Sequence, residues 1–574
     1  MFKGVRTAGW CWALLPLAAC LGWGALGATP EIGDGSAPPS SYIVTGRSVQ
    51  HATAAVEAVG GVVTHRLGII DGVAARLATG GADGLRASAD LQVAADRSME
   101  VAGGWGLPGP PRHSELMGVD HLHEEGIDGA GVTLAVVDTG IWRQRRALRR
   151  DFQGRRRLLA EYDAIRDRQG KARDRSGHGT HVTSIMVSSD PFLCFPPCGG
   201  GGIRARGIAP SADLVVVKAF NGRGRGTYAD VIRGLDWLVS HREAYGIRVV
   251  NLSFTAPAQS FYWQDPLNRA VSEVWRSGIV VVTSAGNLGP DPMTIGVPGN
   301  HPYVVTAGAM TGSRTPDETG DDGVAPFSSA GPTLDAFVKP DLVAPGGRVA
   351  GLVKPSHRLA LEHPGNVLGF GYFEMSGTSQ ASAMVAGVAA LVLQRSPWLS
   401  PDDVKCRLLD GARPAVSRGF ELAYGPFQQG AGLVDAVAAV NSERTGCANG
   451  GLDIDADAAG VQHFMGPVRW NPEVEAFFIE GVGYPWDGRS HVGALPEGIE
   501  AWADADPFSP DGLPWIDSNP WIDSNPWIDS NPWIDSNPWI DSNPWIDSNP
   551  WIDSNPWIDG QPGAAQLSVN RWVD

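Results

Sequence analysis

Cysteine is scarce, with six in 574 residues and two of those inside the first twenty. Structural zinc needs four nitrogen or sulfur ligands at set spacings, and no second Cys pair or His pair accompanies the "CFPPC" segment, so a zinc site is disfavoured. The four remaining cysteines are Cys194, Cys198, Cys406 and Cys447. An even count in an exported chain suggests disulfides, with a local Cys194 to Cys198 bridge the natural one. A basic excess is missing as well. The formal net charge is -17, but residues 446–574 hold 3 Arg against 21 Asp plus Glu, which leaves 42 basic and 41 acidic residues upstream. A body this close to neutral argues against a nucleic-acid surface and confines the acidic excess to the C-terminus. Apolar runs long enough to span a bilayer are absent beyond the first thirty residues.

What the N-terminus holds, "MFKGVRTAGWCWALLPLAACLGWGALGATP", has the basic start, apolar stretch and small residues of a secretory signal over residues 1–28. "LAAC" offers a second reading, a lipoprotein signal that would leave a lipidated Cys20. Either places the chain outside the cytoplasm, secreted or at the cell surface.

Residues 40–101 read as strand, helix, two strands, helix and a last strand over "LQVAADRSMEV", a small split β-α-β unit of ferredoxin-like α+β type. A Gly/Pro-rich linker at 102–112 reads as open to proteolysis. From 113 to 445, short apolar runs such as "GVTLAVVD", "ADLVVVKAF", "IRVVNLSF", "GIVVVTSAGN" and "PYVVTAGAM" lack polar alternation, as strands buried on both faces do. Amphipathic stretches separate them; in one, Val231, Ile232, Leu235, Leu238 and Val239 share a helical face. The order predicts an α/β fold with a doubly wound, mostly parallel sheet, whose chemistry gathers at the carboxyl ends of its strands. Beyond Cys447 regular patterning fades into an acidic region, 446–514. At 515 "WIDSNP" begins, seven times in succession, and "WIDGQP" closes the block at 562. Its turn-forming Asp-Ser-Asn runs and prolines exclude helix and predict an irregular tail, with a turn-based spiral as the second reading. Eight tryptophans there offer a surface for carbohydrate, cell wall or other proteins.

Four residues stand where chemistry is expected. Asp138 ends "GVTLAVVD", His178 lies between two glycines in "SGHGTHV", Asn287 ends "VVVTSAGN", and Ser379 opens a long run of small and apolar residues in "SGTSQASAMVAG". Each has a plain structural reading: a turn, a solvated loop, a strand end, a helix cap. Together they supply an orienting carboxylate, a base, an oxyanion donor and a nucleophile.

These segments resemble those of the subtilisin-like serine proteases, which carry their triad in the order Asp, His, Ser. "VVDTG", "GHGTHV", "SAGN" and "SGTSQAS" match the family's motifs, and "IGVPGNHPYVVTAGA", "FSSAGP" and "KPDLVAPG" extend the likeness over most of 113 to 445. The resemblance implies a bacterial serine endopeptidase acting on protein or peptide substrates through Asp138, His178 and Ser379, with Asn287 in the oxyanion hole. It implies that 40–101 is a propeptide, an intramolecular inhibitor removed by the enzyme itself. It further implies a primary pocket walled by Ser253, Phe254, Thr255, Ser284, Ala285, Gly286 and Leu288, with Gly296 near its floor and a preference for an apolar residue before the cut bond. No cofactor is required for the chemistry. Calcium is common in the family, and Asp174 in "RDRSGHGTH" is a candidate ligand, although Arg175 and Ser176 replace the usual acidic or amide neighbours. The alternating Asp of "LDIDAD" lacks the glycine and distal Glu of a calcium loop. Two departures mark the nucleophile's helix: Gln380 and Ala383 stand where the family usually has Met and Pro. The alternative is a surface binding protein that uses an inactive protease-like scaffold to carry the Trp-rich tail.

Overall fold

The computed structural model describes residues 40–101, 116–151, 153–193, 203–205, 207–311, 323–415, 423–472 and 475–480. The signal segment with Cys20, the 102–112 linker, Cys194, Cys198 and the hexapeptide repeats lie outside them. Among the described residues no helix is long and apolar enough to cross a membrane.

The N-terminal unit runs β1 (Ser40–Thr45), α1 (Val49–Ala58), β2 (Val62–Leu67), β3 (Gly72–Leu77), α2 (Thr79–Arg86) and β4 (Gln92–Ala95). Its sheet has the order β2-β3-β1-β4, with every neighbouring pair antiparallel. Val44, Val56, Val73, Leu77 and Leu85 form a small core of their own beneath the helices. The sequence predicts one strand from 91 to 101, and the chain instead breaks after Ala95. Residues Ser98–Val101 form a separate strand, β5, which leaves this sheet. The cause is a change of partner, since β5 pairs with two segments of the larger domain and with nothing in its own unit.

That domain is built on β6 (Thr133–Asp138), β7 (Leu158–Asp163), α3 (His178–Val187), β8 (Asp213–Lys218), β9 (Arg225–Thr227), α4 (Tyr228–Ser240), β10 (Ile247–Leu252), β11 (Phe254–Thr255), α5 (Pro266–Arg276), β12 (Val280–Ser284), β13 (Val305–Thr311), β14 (Leu342–Pro345), β15 (Val349–Leu352), β16 (Tyr372–Met375), α6 (Thr378–Arg395) and α7 (Pro401–Asp410). Seven strands form a parallel sheet in the order β7-β8-β6-β10-β12-β13-β14. Two short edge pieces, 168–169 and 323–324, run antiparallel to it. The β6 and β12 strands are buried at every residue, so their lack of polar alternation follows from cover on both faces.

The chain goes from β6 outward to β7, back to β8, and then across to β10 on β6's other side. Such a reversal of strand order leaves a crevice at the strands' carboxyl ends. Asp138 is the last residue of β6 at that crevice. The α6 helix crosses the core with its first sixteen residues buried. Small side chains make that possible: a Cβ on Gly387 would stand 2.5 Å from Ile208. In α4, Val231, Ile232, Leu235 and Leu238 are buried, as their shared face predicts, and Val239 lies half-buried at the margin.

Past Cys447 the chain stays ordered further than its fading pattern predicts. A one-turn helix, Ile454–Ala458, and a hairpin of Val468–Asn471 with Ala476–Ile479 pack on the domain. Contacts with distant residues fix this segment, not periodicity of its own. Tyr262 donates its hydroxyl to Asp457 at 2.6 Å, the His463 ring stacks on Trp263, and a Cys406–Cys447 disulfide anchors the start.

Candidate active site

Asp138 and His178 meet 40 residues apart in sequence. The imidazole Nδ1 lies 3.0 and 2.9 Å from the two carboxylate oxygens of Asp138, and both side chains are buried. A carboxylate on Nδ1 fixes the tautomer that leaves Nε2 as the proton acceptor. Asp138 is held in turn by the Thr139 N–H at 2.6 Å. Backbone shape allows this approach. Gly140 has φ +113°, and a Cβ on Gly179 would stand 2.5 Å from the Gly140 carbonyl and 2.9 Å from Asp138 Oδ1. Any side chain at 179 would push the carboxylate off the imidazole.

Ser379 is the second residue of α6, as His178 is the first of α3, so the helix dipoles of both point their positive ends into the crevice. The Ser379 hydroxyl donates to the Ser253 carbonyl at 3.1 Å, while the Ser253 hydroxyl donates back to the Ser379 carbonyl at 3.0 Å. The starts of α3 and α6 are also joined through Gln380, one residue past Ser379, and His181, three past His178. Gln380 Nε2 donates to His181 Nδ1 at 3.4 Å, and His181 Nε2 donates to the Phe373 carbonyl at 3.0 Å. Burial pushes the His181 pKa down to about 3, so this ring is neutral and its Nδ1 can accept.

Asn287 stands beside the nucleophile's helix. Its amide oxygen accepts both the N–H of Thr378 at 3.0 Å and the Thr378 hydroxyl at 2.9 Å. With two donors on the oxygen, the amide has one acceptable orientation, and its N–H₂ points away from Thr378. The sequence pattern does not single out Thr378; the hydroxyl before the nucleophile in "SGTSQ" is the signal it offers.

The segments expected to wall the primary pocket do lie together. Gly296 donates its N–H to the Ala285 carbonyl, and its Cβ position is 2.9 Å from Thr255 Cβ. Ser284 donates to the Phe254 carbonyl at 3.3 Å, and the Gly286 Cβ position is 3.7 Å from Thr255 Cγ2. Two side chains depart from the expectation. The Phe254 ring packs on Phe220 at 4.9 Å and is fully buried, and Leu288 is 56% exposed. Neither supplies a buried apolar wall between 253–255 and 284–286.

The β5 strand runs antiparallel to β9 on one side and β11 on the other. Its Val101 is opposite Phe254, the neighbour of Ser253. Met99, opposite Gly226, is buried in the same core as Phe220 and Phe254. An extended segment of the chain itself therefore lies along the crevice toward Ser379.

Asp174 has no oxygen to spare for a cation. Oδ1 accepts from Thr139 Oγ1 and the Ser176 and Gly177 N–H groups, and Oδ2 accepts from the N–H and hydroxyl of Thr180. Burial alone would raise its pKa, but His357 and these hydrogen bonds together outweigh it and hold the carboxyl below its usual value. In "LDIDAD", Asp453 caps the 454–458 helix and Asp457 bonds Tyr262 and His463. Among the described residues no group of three or more His, Cys, Asp or Glu side chains gathers to hold a metal.

A doubly wound parallel sheet with a carboxylate–imidazole pair at its switch point and a serine at a facing helix start defines a subtilisin-like α/β fold. The model of the subtilase family matches residues 129–432, more than half of the chain, and the chain belongs to that family. It is 39% identical over 290 residues to the serine protease AprX of Bacillus subtilis (strain 168), covering 50% of this chain and 62% of AprX. With subtilisin E of the same strain it shares 30% over 320 residues, 55% of this chain and 68% of the relative. Among solved structures it is similar in fold to fervidolysin from Fervidobacterium pennivorans, a keratinolytic enzyme related to subtilisin. That match has a TM-score of 0.54 and 23% identity, covering 72% of this chain and 62% of the other.

Proposed function

We propose that the chain is an exported serine endopeptidase made as a self-inhibited precursor. In this reading His178 takes the Ser379 proton as Oγ attacks a peptide carbonyl, and Asp138 stabilises the imidazolium that forms. Asn287 Nδ2 and the Ser379 N–H receive the oxyanion, and His178 then returns the proton to the leaving amine. The observation that carries the proposal is β5, a strand of the chain's own seated between β9 and β11 one residue short of Ser253. An edge that adds an extended strand through main-chain bonds suits a peptide substrate of varied sequence.

The N-terminal unit is then the propeptide, and the register of β5 supports a cut close to its end. The ladder ends with Val101 opposite Phe254, the neighbour of Ser253, so we place the scissile bond just beyond β5, after residue 102 in the sequence, with Met99 as the fourth residue before it. Specificity for an apolar side chain is accordingly proposed at Met99's place, beside Phe220 and Phe254, as well as directly before the cut. Export rests on the signal-like residues 1–28, and the repeats are proposed to meet cell-surface material.

Wild type and Ser379→Ala decide it. Wild type is expected to hydrolyse casein, to react with a serine-directed fluorophosphonate, and to yield a mature form whose N-terminus reads at or next to Gly103. Ser379→Ala is expected to do none of these. Equal hydrolysis by both, or a wild type that stays unlabelled, would leave the scaffold reading standing instead.

A further inference from the structure

Asp174 takes no part in the proton transfers proposed above, yet it is bound to the machinery at five points. Its Oδ1 accepts the Thr139 hydroxyl and the N–H groups of Ser176 and Gly177, each at 2.9 Å. Its Oδ2 accepts the Thr180 N–H at 3.0 Å and the Thr180 hydroxyl at 2.6 Å. Two of these five, from the Gly177 and Thr180 N–H groups, satisfy orphan donors at the start of α3, and those from the Ser176 N–H and the Thr180 hydroxyl tie the preceding loop and the first turn to the same carboxylate. The fifth, to Thr139, lies outside that role.

Thr139 sits between the two carboxylates. Its N–H donates to Asp138 Oδ1 at 2.6 Å and its hydroxyl donates to Asp174 Oδ1. A hydroxyl has one hydrogen, and Asp174 takes it, so the Thr139 oxygen meets the Gly179 N–H, 2.8 Å away, with a lone pair. Asp174 thereby sets the direction of a bond that ties Gly179, the residue after His178, to Thr139, the residue after Asp138. The peptide carbonyl of Thr139 is held from the far side by Lys218 Nζ at 2.5 Å. The loop itself is pinned by the turn at 358–362, where the Arg358 and Leu359 N–H groups bond the Arg175 and Ser176 carbonyls at 3.0 Å.

We propose that Asp174 is a positioning residue, which through Thr139 fixes the approach of Asp138 to His178. The inference rests on the serine-protease reading. It goes beyond it by naming a second carboxylate whose loss is felt in turnover and not only in folding.

The test compares Asp174→Asn, Thr139→Val and Thr139→Ser with wild type, all matured, with active sites counted by fluorophosphonate titration. Misplacement of reacting groups by about 1 Å costs on the order of 10²-fold. Thr139→Val keeps the shape and removes the hydroxyl, so kcat per titrated site is expected to fall by up to about 10²-fold with KM within about twofold. Thr139→Ser restores the hydroxyl and is expected to return kcat to within about threefold of wild type. Asp174→Asn is expected to lose as much as Thr139→Val, and the double variant no more than the worse single, because both act through one bond. A Thr139→Val enzyme that melts earlier but turns over at the wild-type rate per titrated site would overturn the proposal, whether or not Asp174→Asn folds. A wild type that neither titrates nor hydrolyses would overturn the protease reading instead.

Discussion

Thr378 gives both its N–H and its hydroxyl to the amide oxygen of Asn287, at 3.0 and 2.9 Å, and so decides which way that amide faces. The N–H₂ group is thereby set before any substrate arrives, and preorganised donors are the ones that act strongly on a developing charge. Asn287→Ala is expected to lower kcat by about 10² to 10³, a figure carried over from the same donor in a related protease, with KM little changed. Thr378→Val keeps one of the two bonds and is expected to cost less, about tenfold. Steady-state kinetics on a peptide substrate read both, and a Thr378→Val loss as large as that of Asn287→Ala would mean Thr378 does more than orient.

Arg225 stands directly opposite Glu100 in the ladder between β5 and β9. Cross-strand pairs of opposite charge contribute roughly 0.2–1 kcal/mol, or up to about fivefold in binding. If β5 occupies the place of a substrate, peptides with Glu third before the cut should be cleaved faster than those with Lys. The ratio should reach at most a few fold in dilute salt and shrink as salt screens it. Arg225→Glu is expected to invert the preference. Identical Glu to Lys ratios in both enzymes would show that β5's register does not describe substrates.

The parts of this site that sequence discloses are those with a local cause. Asp138 is legible because a carboxylate terminates an uncharged buried strand, and His178 because glycines crowd it at a helix start. The parts it hides depend on partners far along the chain. β5 separates from β4 because its hydrogen-bonding partners begin at Arg225 and Phe254. In sequence Asp174 is one candidate for a calcium site, and the five donors that occupy it are not legible there, since composition does not say which groups will face a carboxylate. Phe254 is apolar and adjacent to Ser253, as a pocket wall would be, but alternation along a strand sends its ring toward Phe220.

The Cys406–Cys447 bridge closes a loop with a sequence separation of 41, for which chain entropy gives a stabilisation of about 4 kcal/mol. It also holds Asn449 where its side chain accepts from Lys405 at 3.0 Å and donates to Asp402 at 2.6 Å. Replacing both cysteines with serine is expected to lower the melting temperature by roughly 2–4 °C for each kcal/mol lost. Reductant should reproduce the shift in wild type and leave the double variant unmoved. Coincident melting curves for the two proteins would mean that the 446–480 segment is held by its other contacts alone.

Two buried histidines contribute to the loss of stability in acid. His301 is fully buried, bonded through Nε2 to Ser272 Oγ at 2.7 Å, and its pKa lies well below 6.5. Burial is the main cause, and the charges of Lys339 and Lys405 add to it. His181 is likewise held neutral, by burial first and by His178 second. Below about pH 6.5 the unfolded chain takes up a proton on each ring that the folded chain refuses, so the unfolded state binds more protons. Stability from these groups is therefore complete above pH 6.5 and declines as the pH falls toward their folded values. The slope is at most about 1.4 kcal/mol per pH unit for each ring. Carboxylates contribute to the same decline, which is why the comparison must be made with one ring removed. His301→Gln can still meet Ser272 but has no proton to gain. Its unfolding free energy from denaturant titrations between pH 6.5 and 4.5 should therefore fall less steeply than that of wild type, by about one proton's slope. Parallel lines for the two proteins would mean that His301 is protonated in the folded state as readily as in the unfolded one.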